Sequence, residues 1–540
     1  MRISLPEKYH NWLYLAGLAG IAFGLAVNKV VISIGVIWVG VNWLWEGGFA
    51  DKFRLLKARN SVLILIGIFL LHVIGLLWTS DFNSGLRDVR IKIPLLVLPL
   101  VIGTSRPLEK KKFEFVLLMF IAGVIISTFR TWLISTAVID KQISDLRQAS
   151  DLVALIRLSL FSALSIFLLL RWIYRNDTLW IRAVSGFFVL WLVYFMIHMQ
   201  SLTGLLALVT AGPVIAAIVA SANKKRKLIA GVLVIMMPLI GFAGYSVYKA
   251  YRDFYSLRGK EIPKLYVKSA TGIHYEHHLD IPIYENGNKV MVNVCWPDVM
   301  TEWTRRSKIP FHGGVDGNGG PIQYTIARYM ASRNLLKDSA GIWQLSDAEI
   351  RAIENGVTNY RDAERNALER RAYQVFWEIY NYAYGGDPSG SSVSMRLEVS
   401  GAAIHSIENH PWIGTGTGSQ KIAYNDYYEK SGSRLQEGWQ WLHVHNQILA
   451  IAVTLGIPAA LFFIFSLWWP AYSMRKMRSV LYLSFFLIAL LSFLDDDTLE
   501  TQQGVTFYAF FNALLLYAMP FASAAFQSGN KNAPEPKAEQ

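Results

Sequence analysis

The sequence predicts an all-α polytopic membrane protein with about 12 transmembrane helices and one large mixed α/β extracytoplasmic loop. Composition is the first ground. Of the 540 residues 53% are hydrophobic and only 17% are charged, against about 25% charged in a typical globular domain. The second is distribution: the apolar residues come in blocks about as long as a bilayer is thick. The third is charge placement, because the net +13 collects in alternate connections. The single cysteine, Cys295, excludes a disulfide framework and any multi-cysteine zinc or iron–sulfur site.

Apolar segments lie near 11–28, 30–46, 61–78, 91–105, 113–137, 153–171, 182–199, 202–222, 228–248, 443–469, 479–494 and 503–525. Arg2 and Lys8 precede the first, as in a signal peptide, but no polar small-residue cleavage region comes after it, so it reads as an uncleaved helix. The fourth is short and holds Pro94 and Pro99. It is taken as spanning, with a broken or re-entrant helix as the alternative. With the N-terminus cytoplasmic, the inner connections hold 20 Lys and Arg, and the short outer ones hold five: Lys29, Arg87, Arg90, Lys141 and Arg147. That asymmetry sets the orientation by the positive-inside rule, and it accounts for part of the net charge without nucleic acid. The divisions are then 1–248 with nine spans, a loop domain at 249–442, three spans in 443–525, and a disordered cytoplasmic tail at 526–540. Within the loop, Ile281–Tyr284 and Lys289–Cys295 flank the hairpin signal Asn286-Gly287. Ser346 to Glu349 is a capping box, and Arg361–Tyr382 and Ser394–Asn409 have helical periodicity.

An ionisable residue inside a membrane segment is a functional candidate, because burying it unpaired is costly. Lys92, Arg130 and Arg157 all fall at the outer boundary on this topology. Each alone reads as a snorkelling cation; three at one depth favour an anionic ligand. The loop brings more polar groups to that level. Arg396 opens the helix 394–409, and Gly414, Gly416 and Gly418 form a helix-terminating turn. His443 and His445 stand where the tenth span begins. If helical there, they point about 200° apart, which disfavours a shared metal. Asn446 is placed to orient an imidazole. Asp495, Asp496, Asp497 and Glu500 read as acidic residues of an outer turn, ahead of the alternative that Asp495-x-Asp497 holds a divalent cation. His72, His198 and Cys295 read as packing residues.

His445-Asn446, then nine residues, then Gly456 resembles the signature of the bacterial O-antigen ligase family, which includes O-antigen polymerases and some protein O-glycosyltransferases. Around it stand RLEVSGAAIHSIENHPWIGTGTG (Arg396–Gly418), HVHNQILAIAVTLGIP (His443–Pro458) and SLTGLLALVTAG (Ser201–Gly212). Three residues after Gly456 this chain has Ala459 where the pattern usually has Gly, Thr or Tyr, and its loop is long for the family.

The resemblance implies an inverting, metal-independent glycosyltransferase of the membrane-embedded GT-C type, needing no cofactor. It would work at the periplasmic face of the bacterial inner membrane, with both termini cytoplasmic. The donor would be a glycan on undecaprenyl diphosphate, and the acceptor a sugar of lipid A–core. His445 would be the general base, shaped by His443 and Asn446. Arg396 and Arg157, with Lys92 and Arg130 as helpers, would hold the diphosphate, because guanidinium forks match phosphate. A polymerase, a protein O-glycosyltransferase and a lipid-linked oligosaccharide transporter are the alternatives. The absence of internal repeats, and the gathering of ionisable groups at one face, weigh against the transporter.

Overall fold

The computed structural model describes residues 5–520 except 142–145, 223–240, 256–263, 282 and 441–442, and leaves out the side chains at 146, 147, 220–222 and 437. The expected tail at 526–540 and most of the ninth segment lie outside the described residues. The first half of the chain forms α1 (Glu7–Val27), α2 (Lys29–Glu46), α3 (Phe49–Ala58), α4 (Ser61–Ile74), α5 (Phe82–Lys92), α6 (Pro94–Gly103), α7 (Lys110–Ser135), α8 (Leu155–Arg175), α9 (Leu179–His198) and α10 (Leu202–Ala222). Residues 241–255 form α11. The last apolar elements are α19 (Gln447–Leu455), α20 (Ile457–Ser473), α21 (Val480–Asp495) and α22 (Gln502–Ala513).

This is a helical membrane protein. Seven described helices are long and apolar enough to cross a bilayer, and α20 and α21 are shorter apolar helices. Two segments expected as single spans are broken. The fourth is divided at Ile93 between polar α5 and apolar α6, because Pro94 has no backbone N–H to donate and starts a new helix. At 10 residues, α6 is about 15 Å long, half of a bilayer core. The tenth is divided between α19 and α20 at Gly456, whose φ of +85° is a left-handed value only glycine adopts cheaply.

The ends of the helices sort into two groups. At one end Trp43 Nε1 donates to Thr104 Oγ1 (2.9 Å), Arg59 donates to the Gly103 carbonyl (2.7 Å), and Arg171 pairs with Glu114 (2.7 Å). At the other, Lys92 meets Glu500, and Thr203 donates to Asp495 (3.0 Å). Short α6 therefore still runs from one group to the other, and Lys92 lies sunk between neighbouring helices. A continuous apolar core from α1 through α22 surrounds it, with Phe120, Phe161, Phe507 and Phe511 in mutual ring contact.

The long polar stretch is mostly helical: α12 (Trp296–Arg306), α13 (Ile322–Ser332), α14 (Ser339–Trp343), α15 (Asp347–Glu354), α16 (Ala367–Ala383), α17 (Ser392–Asn409) and α18 (Gln420–Ser431). Its strands are only two or three residues long: β1 (Glu276–His277), β2 (Tyr284–Glu285), β3 (Asn288–Lys289) and β4 (Val292–Val294). The Asn286-Gly287 hairpin forms, with both residues at positive φ, and pairs β2 with β3. The expected longer second strand does not form, because β4 pairs with β1 instead. The Ser346–Glu349 capping box is present on α15. The expected helix 361–382 begins only at Ala367, where Asn366 caps α16. Separate cores form around Trp303 and around Trp377, and a third joins α17 and α18 to α19 through Val399, Tyr424 and Val453. That third core carries Arg396 and the histidines onto the membrane helices.

Candidate active site

His445 is placed by its neighbour in the chain. Asn446 caps α19, accepting a hydrogen bond from Leu449 N–H (3.0 Å) and donating to the Leu494 carbonyl (3.3 Å). Its amide is therefore committed to backbone, and it does not orient the imidazole as the sequence suggested. His443 and His445 both precede the helix, so helical angular spacing does not apply to them. The orienting group is Asp496, whose Oδ1 lies 3.5 Å from His445 Nδ1. At that length the contact is a weak hydrogen bond that strengthens when the ring is protonated.

The acidic connection after α21, read from sequence as an outer turn, gathers the site. Asp495 accepts from Arg396 (2.9 Å) and Thr203 (3.0 Å), and Arg157 lies 3.8 Å from Asp496. Two arginines and a histidine that are far apart in sequence thus meet on adjacent carboxylates. Among the described residues Arg157 Nε is buried without a partner, a donor left open for an anion. Burial raises the Asp496 carboxyl, but the hydrogen bond to His445 and the Arg157 charge outweigh it and lower its pKa. Asp497, buried beside Asp496 and Glu500, is pushed the other way. The two adjacent carboxyls are thus pushed in opposite directions, Asp496 down by His445 and Arg157 and Asp497 up by burial and its acidic neighbours.

Lys92 and Arg130 do not join this group. Lys92 is only 1% exposed and donates to Glu500 (2.6 Å), which also accepts from Gln447 (3.1 Å). Burial would raise the Glu500 carboxyl, but Lys92 with His443 and His72 holds it at about 2. Arg130 makes a two-pronged bond to Asp151 (3.2 and 2.9 Å), well exposed. The expected convergence with Arg157 does not occur, because Asp151, 21 residues on, takes up the Arg130 guanidinium. His443 Nδ1 lies 2.8 Å from Gln420 Oε1, and the ring lines a cavity of about 510 Å³ shared with His72, Lys92 and Glu500. His72, read as a packing residue, is thus in the wall of that cavity. His198 meets Ser135 (3.0 Å), and Cys295 is buried.

The glycine turn does more than end α17. Thr415 and Gly416 N–H donate to the carbonyls of Val453 and Thr454, and Ile457 N–H donates to Pro411. A Cβ on Gly418 would lie 2.2 Å from Gly85 N, so that turn also sits directly on α5. The turn thus fixes the α19 end relative to the cavity wall.

Among possible metal ligands, His445, Asp496 and Asp497 offer atoms within 4.8 Å of one another. That donor set fits a divalent cation in number and type, and it is not the Asp495-x-Asp497 pair considered from sequence, since Asp495 is turned to Arg396.

Fold and site together define a helical membrane protein with a polar His–Asp–Arg cluster where the long polar stretch meets the apolar helices. Residues 355–464 match the family model described as O-antigen ligase, which supports assigning the chain to the O-antigen ligase family. The match takes in Arg396, the glycine turn, His443, His445 and Asn446, and it stops short of Arg157 and the acidic connection. No curated protein matches the chain.

Proposed function

We propose that the chain is an inverting membrane glycosyltransferase that moves a glycan from undecaprenyl diphosphate to a lipid A–core sugar at the periplasmic face of a bacterial inner membrane. An O-antigen ligase or polymerase type of function comes from the family match; the donor, acceptor and residue roles are the proposal. The observation that carries it is His445 held by Asp496 beside Arg157 and Arg396.

In this reading His445 Nε2 takes the proton of an acceptor hydroxyl as its oxygen attacks the anomeric carbon. The bond from that carbon to the diphosphate oxygen breaks, and undecaprenyl diphosphate leaves with the electron pair. Asp496 stabilises the imidazolium through Nδ1. Arg157 and Arg396 meet the growing negative charge, with planar forks that their carboxylate partners already hold in place. Lys92 serves this reading as a structural cation tied to Glu500, and Arg130 as a rim residue.

A gel of lipopolysaccharide, with the lipid-linked glycan pool, from a deletion strain complemented by wild type or His445→Ala tests this. Long polymer stranded on undecaprenyl diphosphate beside bare lipid A–core is expected for the variant. Lipid A–core capped by one repeat would make the chain a polymerase, and an unchanged profile would favour a protein acceptor or a transporter. The His445–Asp496–Asp497 donors give a metal-dependent reading its one specific support. Activity in excess EDTA is expected to be undiminished; loss reversed by a divalent cation would transfer those three residues to metal binding.

A further inference from the structure

The 510 Å³ cavity beneath His443 is of the size that holds a small ligand, about 300–1,000 Å³, and its wall is unlike the arginine cluster. It carries three carboxylates, Asp81, Asp88 and Glu500, against Arg87, Lys92 and Lys421, so its formal charge cancels. Glu500 and Lys92 are consumed by each other, and Asp81 caps α5 through Ser84 N–H (3.0 Å). Asp88 differs. It accepts no hydrogen bond and pairs with no cation within bonding distance among the described residues, and burial raises its carboxyl. It lies in the wall beside His443, whose Nδ1 side is taken by Gln420.

A half-buried acceptor without a partner, in a roomy polar recess, is matched by a ligand that brings its own donors. Mixed carboxylate, amide and ammonium groups suit a ring of hydroxyls, each of which donates and accepts. With its charge cancelled, this wall attracts a diphosphate less than Arg157 and Arg396 do, because Asp81, Asp88 and Glu500 offset Arg87, Lys92 and Lys421.

Resting on the glycosyl-transfer reading above, we propose that this cavity is a subsite for an uncharged pyranose ring of the acceptor glycan, with Asp88 accepting hydrogen bonds from its hydroxyls. The acidic connection then serves two chambers: Asp495 and Asp496 face the cations and His445, while Glu500, through Gln447 and Lys92, walls the sugar chamber. Acceptor sugar would be held on the His443 side and lipid diphosphate on the arginine side, with the base between them.

The test uses the full-length protein in lipid nanodiscs, as wild type, Asp88→Leu, Asp88→Asn and the cavity-filling Ser84→Phe, each checked by thermal melt. The probe for binding is delipidated core oligosaccharide, read by saturation-transfer NMR; transfer is read by steady-state kinetics with the lipid-linked donor. Wild type and Asp88→Asn should show saturation transfer, and Asp88→Leu and Ser84→Phe should lose it. In kinetics Asp88→Leu should raise the acceptor KM by about 10-fold or more, as for one lost hydrogen bond to a charged group, and leave the donor KM unchanged. A rise in donor KM alone, an unchanged acceptor KM in both Asp88→Leu and Ser84→Phe, or no saturation transfer on wild type would overturn the subsite. If core oligosaccharide binds through Asp88 but wild type transfers nothing, the transfer reading fails and the sugar site stands. If Asp88→Leu does not fold, Ser84→Phe decides.

Discussion

Replacing His445 with Ala removes the proposed general base and should lower kcat by about 10²–10⁴-fold, the usual worth of such a group. Asp496→Asn should cost less, about 10-fold, because the 3.5 Å contact is weak before the ring is charged and strengthens with it. Since Asp496 faces His445 and also stands beside Arg157, the variant should shift the acid limb of the kcat profile toward lower pH and raise the donor KM. A purely structural Asp496 would instead lower the melting temperature with no shift of the profile. The buried Lys92–Glu500 pair makes a separate prediction. Lys92→Met leaves a carboxylate buried alone and should destabilise the protein by about 3–5 kcal/mol, whereas Lys92→Met with Glu500→Gln should recover most of it. The folded Glu500 pKa of about 2 lies below its ordinary 4.5, so the stabilisation is complete above pH 4.5. It should be lost as pH falls toward 2, and the double variant should lack that acid sensitivity in thermal melts.

At the scale of elements, the breaks matter as much as the helices. Gly456 separates α19 from α20 at positive φ, and a Cβ there would lie 2.3 Å from the Trp412 carbonyl oxygen. Gly456→Ala should therefore destabilise the protein by several kcal/mol, about 1–3 from the backbone conformation alone, measured as lost melting temperature and lost monodisperse protein in detergent. Ala459→Gly, a change toward the family pattern, should have no comparable effect. Hydropathy makes the apolar helices legible, because each satisfies its own backbone and needs only length and apolar composition. It runs straight through Gly456, where a glycine divides a run that remains apolar on both sides, and it begins the fourth segment ahead of Ile93, where Pro94 separates polar α5 from apolar α6. The site was half legible. His445, Arg396 and the glycine turn lie within one local pattern. Asp495 and Asp496 do not, because what they hold comes from Arg157, Thr203, Arg396 and His445, scattered over the chain. In sequence they look like any acidic turn; the one signal was three consecutive carboxylates abutting an apolar helix, where a bilayer boundary gives them a reason to be paired.

For the whole molecule, the grouping of helix ends makes orientation testable with the chain's own single cysteine as a clean background. Cys295 is 1% exposed and should not react with a membrane-impermeant maleimide while the protein is folded. Thr304, on the exposed face of α12 in the polar insert, and Asp177, fully exposed in the basic connection between α8 and α9, then serve as reporters of opposite sides. Electrostatics assigns those sides. Arg171, Arg175 and Arg182 flank Asp177 at the end where Arg59 and Arg106 also lie, and cationic connections remain on the cytoplasmic side. Short α6 starts just after Lys92 at the site end and ends at Gly103 beside Arg59, so the expected alternation of sides requires it to cross although its length is only half of a bilayer. Thr304→Cys should label in intact spheroplasts, and Asp177→Cys only after permeabilisation. Labelling of both from outside would mean that an even number of spans separates them, so that one of the segments between Asp177 and Thr304 turns back without crossing. Labelling of Asp177→Cys alone would mean that α6 turns back without crossing or that the whole molecule is inverted, and either would put the His445–Asp496 site on the side of the membrane where no outward-facing acceptor glycan is displayed.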